Sequence, residues 1–187
     1  MKIHKTLAGP MALTLLMGGY LLVPSAANAK PGEIVDNAEI NRLFVEVATQ
    51  ASALKTDATE METFTRTDLN WESYAEKIAG IKEHVNAAGK LLAKLEDVKA
   101  QGAPWQQTAI DRIAPLLREM ASNTTATINY MNENKMRVHL AAFKDYVKTS
   151  YELAINLEAV IRNFVEYGNS KDKFENLDRA LEISGGF

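Results

Sequence analysis

The sequence predicts an all-α protein, an antiparallel up-down four-helix bundle with a short C-terminal amphipathic helix. Three observations carry that expectation. Apolar residues recur at steps of three and four along successive stretches of about 30 residues. Short polar or Gly/Pro-containing breaks separate the stretches. No stretch alternates with a period of two, so no strand is expected.

The chain opens with a segment of a different kind. Lys2 and Lys5 make a positive start with no acidic residue near. Leu7 to Val23 is mostly apolar, and Ala27-Asn28-Ala29 has the small-x-small form of a cleavage site. Basic start, apolar run and small-residue site, in that order, read as a secretory signal peptide over residues 1–29, cleaved to leave Lys30 first. The apolar run is short for a membrane span and is interrupted by Gly9, Pro10, Gly18 and Gly19. The expected location is therefore periplasmic or secreted, with no transmembrane span after cleavage.

Residues 30–187 are read as a single four-helix-bundle domain. Lys30-Pro31-Gly32 is a linker. The first helix spans about 37–67, opened by a cap in Asp36-Asn37-Ala38 with Glu39 reaching back. Its stripe is Ile40, Phe44, Val47, Ala51, Leu54, Ala58 and Met61. After the turn at Asp68-Leu69-Asn70, the second helix spans about 71–101. Trp71, Tyr74, Ile78, Ile81, Val85, Ala88, Leu92 and Leu95 form the most regular heptad seam in the chain. Gly102 stops it, and Pro104 suits the first position of a third helix over about 104–133.

The third stripe is Ile110, Ile113, Leu117, Met120, Thr124, Thr127 and Met131. Pro115 inside it removes a backbone hydrogen bond and predicts a kink. A turn at Asn132 to Lys135 leads to a fourth helix over about 136–167, with Leu140, Phe143, Val147, Ser150, Ala154, Leu157, Ile161 and Phe164 on one side. Gly168-Asn169 is read as its end. Ser170 then caps a tail helix over about 171–183, with Phe174, Leu177 and Leu181 aligned. Connections of a few residues make neighbouring helices antiparallel.

Charge and composition narrow the function classes. The leader holds two of the 21 basic residues and none of the 24 acidic ones, so the remainder has 19 against 24, a net charge of −5. A surface of that sign does not favour nucleic acid or anionic lipid. The chain has no cysteine, which excludes disulfides, thiolate metal sites and covalent haem attachment.

Candidate sites are few. His84 and Met120 fall at similar heights on adjacent helices, the axial pair of a haem carrier that uses the bundle interior. The shape of such a carrier is similar to that of the b-type haem bundles that bacteria export; no local motif of that family is present. His84 also lies beside Lys82 and Glu83, as a flanking surface residue would. A carboxylate metal centre needs Glu-x-x-His, and Ile81 and Met136 stand where the glutamates would be, so no metal is expected.

Thr124 and Thr127 make the third seam polar at a level where Ser150 and several alanines face it. This is either close packing or a small ligand pocket, with Tyr146 or Tyr151 at its edge. Trp71 and Trp105 open two helices at opposite ends, as plugs or partner anchors. No nucleophile elbow or phosphate loop occurs. The expectation is an exported, non-enzymatic protein without a resident cofactor. It acts through helix faces on an unknown protein or envelope partner, with a small-ligand or haem carrier as the alternative.

Overall fold

In a computed structural model of the chain, residues 35–67 and 69–184 are described, with side chains as far as Leu181. The expected leader, its cleavage site and the linker after it lie outside the described residues, as do Asp68 and the last three positions. The described residues form four α-helices and no strand: α1 Ala38–Phe64, α2 Trp71–Val98, α3 Pro104–Glu133 and α4 Ala141–Ser184. Single 3₁₀ turns at Lys99–Gln101 and Lys135–Arg137 precede α3 and α4.

The helices pack as a bundle in which each lies mainly against two others: α1 on α2 and α4, and α3 on α2 and α4. Partners run in opposite order along neighbouring helices. Lys77 and His84 on α2 meet Asp57 and Gln50 on α1. Lys55 on α1 meets Glu158 on α4, whereas the earlier Asp36 meets the later Lys171.

The seams read from the sequence are the core. The seven positions of the first stripe are all buried, as are those of the third, Thr124 and Thr127 included. From Tyr74 to Leu95 every position of the second seam is buried, with Trp71 half-buried at its start. Burying such a stripe supplies most of a helix's stability, since isolated helices of this length are marginal in water. Leu43, Gln106, Ala109 and Ala114 are buried as well, so the apolar faces are wider than a strict heptad stripe.

Several boundaries differ from the sequence reading, each for a local reason. Asn37 caps α1, its Oδ1 accepting from the backbone N–H of Glu39 and Ile40 at 2.9 and 3.2 Å. Asp36 is engaged elsewhere, by Trp105 and Lys171. Helix α1 stops at Phe64, where Thr65 and Thr67 turn their hydroxyls back onto the carbonyls of Glu62 and Phe64. Gly102 is extended (φ −84°, ψ 156°), so it ends the turn after α2 without a left-handed conformation. Its lack of a side chain makes room for Ile40, whose Cδ1 would lie 2.6 Å from an added Cβ.

Helix α3 runs unbroken through Pro115, which sits on the exposed face. The fourth helix begins at Ala141 and not near residue 136, because Lys135–Arg137 makes a 3₁₀ turn that tucks Val138 inward and leaves Leu140 exposed. The largest correction is at Gly168. The helix does not end there, and no separate tail helix is capped by Ser170; α4 continues for 44 residues to Ser184. Gly168 is a packing residue: an added Cβ would lie 2.9 Å from Cη2 of Trp105. A glycine in a helix reads as a stop only if nothing presses against it, and the sequence does not show that Trp105 does.

Candidate functional site

The residues nominated as haem ligands face different surroundings. The His84 ring turns toward α1, with Nδ1 3.0 Å from Oε1 of Gln50 and Nε2 3.7 Å from a carboxylate oxygen of Asp57. Gly80 makes this possible, because a Cβ there would collide with the Asp57 carboxylate. The same carboxylate is 3.5 Å from Nζ of Lys77, which lies 2.5 Å from Glu60. The Lys77 ammonium is held above its ordinary pKa, first by the hydrogen bond to Glu60. Met120 is sealed in the core. Among the described residues no group of three or more His, Asp or Glu could hold a metal ion.

The polar level in α3 is hydrogen-bonded from within. Thr124 Oγ1 donates to the carbonyl of Met120 at 2.8 Å, and Thr127 Oγ1 to that of Asn123 at 2.7 Å. Ser150 Oγ accepts from Asn123 Nδ2 at 2.7 Å. All three side chains are buried. Each hydroxyl therefore has a bond inside the protein, the arrangement that close packing requires. Tyr146 lies against Tyr130 in a tilted arrangement, with centroids 5.4 Å apart, at the margin of this level.

The most elaborate polar cluster has no counterpart among the sites expected from the sequence. Gln106, wholly buried in the first turn of α3, uses its whole amide. Its Oε1 accepts from Asn37 N and Ala103 N at 3.0 and 2.8 Å. Its Nε2 donates to the Asn37 carbonyl and to Asn41 Oδ1 at 2.9 and 2.8 Å. Trp105 Nε1 donates to Asp36 at 2.8 Å, and Lys171 lies 3.2 Å from the same carboxylate while also pairing with Glu175. These bonds raise the Lys171 pKa above its ordinary value, the Glu175 hydrogen bond most. The second oxygen of Asp36 is buried without a hydrogen bond. The cluster ties the starts of α1 and α3 to the flank of α4 and acts as a clamp on one end of the bundle.

From that clamp α4 continues past the level at which α1 and α3 begin. About 13 residues follow Lys171, some 20 Å of helix. Phe174, Leu177 and Leu181 stand on it with 72, 61 and 68% of their surface exposed, and Tyr167 beside the clamp is half open. Large apolar side chains aligned on one exposed helix face are the form an interaction surface takes. Elsewhere, an open groove of about 790 Å³ runs between α1 and α2, lined by Gln50, Ala79, Glu83, Asn86, Lys90 and others of mixed charge. It faces solvent.

Comparison with family models, with curated proteins and with solved structures finds no match for this chain. Among the described residues no helix is long and apolar enough to cross a membrane.

Proposed function

We propose that this is an exported, non-enzymatic recognition or structural protein that works through the outer faces and ends of a helical bundle. Its compartment would be the periplasm or the exterior, reached by way of the leader over residues 1–29. The observation that carries the reading is a contrast. At the level where a small ligand pocket was one of the two expectations, Thr124, Thr127 and Ser150 are buried and hydrogen-bonded to the protein itself. The exterior presents Phe174, Leu177 and Leu181 to solvent. A carrier needs interior space and donors, whereas a partner-binding protein needs a closed interior and an apolar surface.

The test is native mass spectrometry with an absorption spectrum, on protein expressed from the full chain in a host with an export pathway. A colourless species of polypeptide mass beginning at Lys30 is the expected result. Extra bound mass, or a haem absorption band, would move the assignment to an interior carrier. A species retaining residues 1–29 would remove the export reading.

A further inference from the structure

The exposed stretch of α4 carries a two-heptad pattern. Tyr167, Phe174 and Leu181 are seven residues apart, and Leu177 lies between the last two. They share a strip about a third of a turn from the face that Leu157, Ile161 and Gly168 press into the bundle. In heptad terms Tyr167, Phe174 and Leu181 occupy a, and Leu177 occupies d. The flanking g positions are then Glu166 and Lys173, and the e positions Lys171 and Asp178.

Those four charges have an order. In a parallel two-stranded coil, each g residue faces the e residue five places further along the other strand, and such pairs choose partner and orientation. Glu166 would face Lys171 of a second copy, and Lys173 would face Asp178 of a second copy. Both pairs are of opposite sign. In the antiparallel alternative e faces e: the register that stacks Leu177 on Leu181 of the second copy brings the two Asp178 carboxylates together, and the register that stacks Phe174 on Leu177 needs Lys171 to face Asp178. Lys171 already holds Asp36 and Glu175 within its own chain, so the Lys173–Asp178 pair carries most of the orientation.

We propose that the end of α4 beyond the clamp is a self-association site. Two copies of this chain pair there as a short parallel coiled coil, with Phe174, Leu177 and Leu181 in the seam and Lys173 matched to Asp178 across it. This rests on reading that end of α4 as a docking surface, and it names the occupant. A seam this short is smaller than the roughly 800 Å² per partner of a standard interface, so the dimer forms in a concentration-dependent way.

Sedimentation velocity over a wide concentration range is the experiment, with the protein expressed from the full chain and exported. The mass should rise toward twice that of the monomer. Phe174→Glu and Leu181→Glu change exposed residues, so they should keep their helical circular dichroism and stay monomeric. Lys173→Glu should weaken association roughly tenfold, and adding Asp178→Lys should restore it. Because the chain has no cysteine, Leu181→Cys gives a clean orientation test: with an added thiol oxidant, a parallel seam joins the two copies by a disulfide at that position. A monomer at every concentration would overturn the proposal, as would undiminished association in Phe174→Glu. So would failure of Leu181→Cys to cross-link while Leu177→Cys does. None of these outcomes bears on whether a ligand fills the interior, which the native mass decides separately.

Discussion

The side-chain amide of Gln106 exchanges two hydrogen bonds with the backbone of Asn37, accepting from its N–H at 3.0 Å and donating to its carbonyl at 2.9 Å. The amide thus stands in for a neighbouring peptide group and joins the starts of α1 and α3. Replacing it with Leu would leave two backbone donors and the Asn37 carbonyl without that partner in a buried place. Gln106→Leu is expected to lose about 2–4 kcal/mol, read as a fall of roughly 5–15 °C in Tm. The exposed Gln101→Ala should scarcely move it. Equal melting of the two variants would mean that the Gln106 bonds contribute nothing net.

Ile81 sits at the centre of the second seam, fully buried among apolar neighbours. Ile81→Asp would place a charge there without a partner. A loss of about 3 kcal/mol or more is expected, enough to unfold a protein of ordinary stability. Lys82→Asp, one position on and exposed, is the matched control. A chemical-denaturation midpoint left unchanged by Ile81→Asp would contradict the packing of α2.

Two helical glycines should respond in opposite directions. A Cβ at Gly89 would meet nothing within 4 Å, so Gly89→Ala should stabilise by about 0.5–1 kcal/mol through the better helix propensity of alanine. A Cβ at Gly168 meets the Trp105 ring at 2.9 Å, and that ring is pinned by Asp36, Phe44 and Tyr167. Overpacking should outweigh the propensity gain there and cost about 1 kcal/mol net. Tryptophan fluorescence is expected to shift in Gly168→Ala and to stay constant in Gly89→Ala.

Alkali should weaken the fold through three groups. The pKa values of Lys77 and Lys171 are raised above 10.5 by their carboxylate partners. Each favours the folded state below the unfolded pKa and loses that effect as pH rises through the folded value. Burial raises Tyr74 above 10.0, so the unfolded chain ionises first and the fold again loses stability as pH increases. The urea midpoint should be flat up to about pH 9.5 and then fall. Tyr74→Phe should flatten part of that descent. A midpoint that instead climbs in strong alkali would contradict the direction of all three shifts.

The sequence was most informative where one side chain answers to one pattern. The seams of α1, α2 and α3 were legible because burial of a helix face repeats at 3.6 residues and leaves a trace in composition. The start of α3 was legible because proline suits a first turn, and it lies at Pro104. What escaped was set by contacts distant along the chain. Gln106 looked like one polar residue in a helix start; its partners, apart from Ala103, lie 65 to 69 positions away. Gly168 looked like a stop because its neighbour Trp105 is 63 positions earlier. The one advance hint for the clamp was Glu-or-Gln three residues into a helix start, which Ala103-Pro104-Trp105-Gln106 satisfies.

The candidate sites divide in the same way. His84 and Met120 were matched by height along their helices, but the direction of the His84 ring depends on Gln50 and Asp57 across a helix pair. Thr124, Thr127 and Ser150 lie on inward faces, as their spacing implied; which neighbour saturates each hydroxyl is not encoded in spacing. The stripe of Phe174, Leu177 and Leu181 was visible as amphipathicity. That it stands exposed, and on the same rod as the core of α4, follows only from the continuity of that helix.

That continuity has a mechanical consequence. A tether of a dozen residues would let its tip wander and would pass no torque to the body it hangs from. A rod without a joint behaves as a lever about 66 Å long, with Trp105 and Gly168 as its fulcrum. Whatever grips the tip therefore pulls against the seat of Trp105, and a sideways load at Leu181 would be felt first by the indole bond to Asp36.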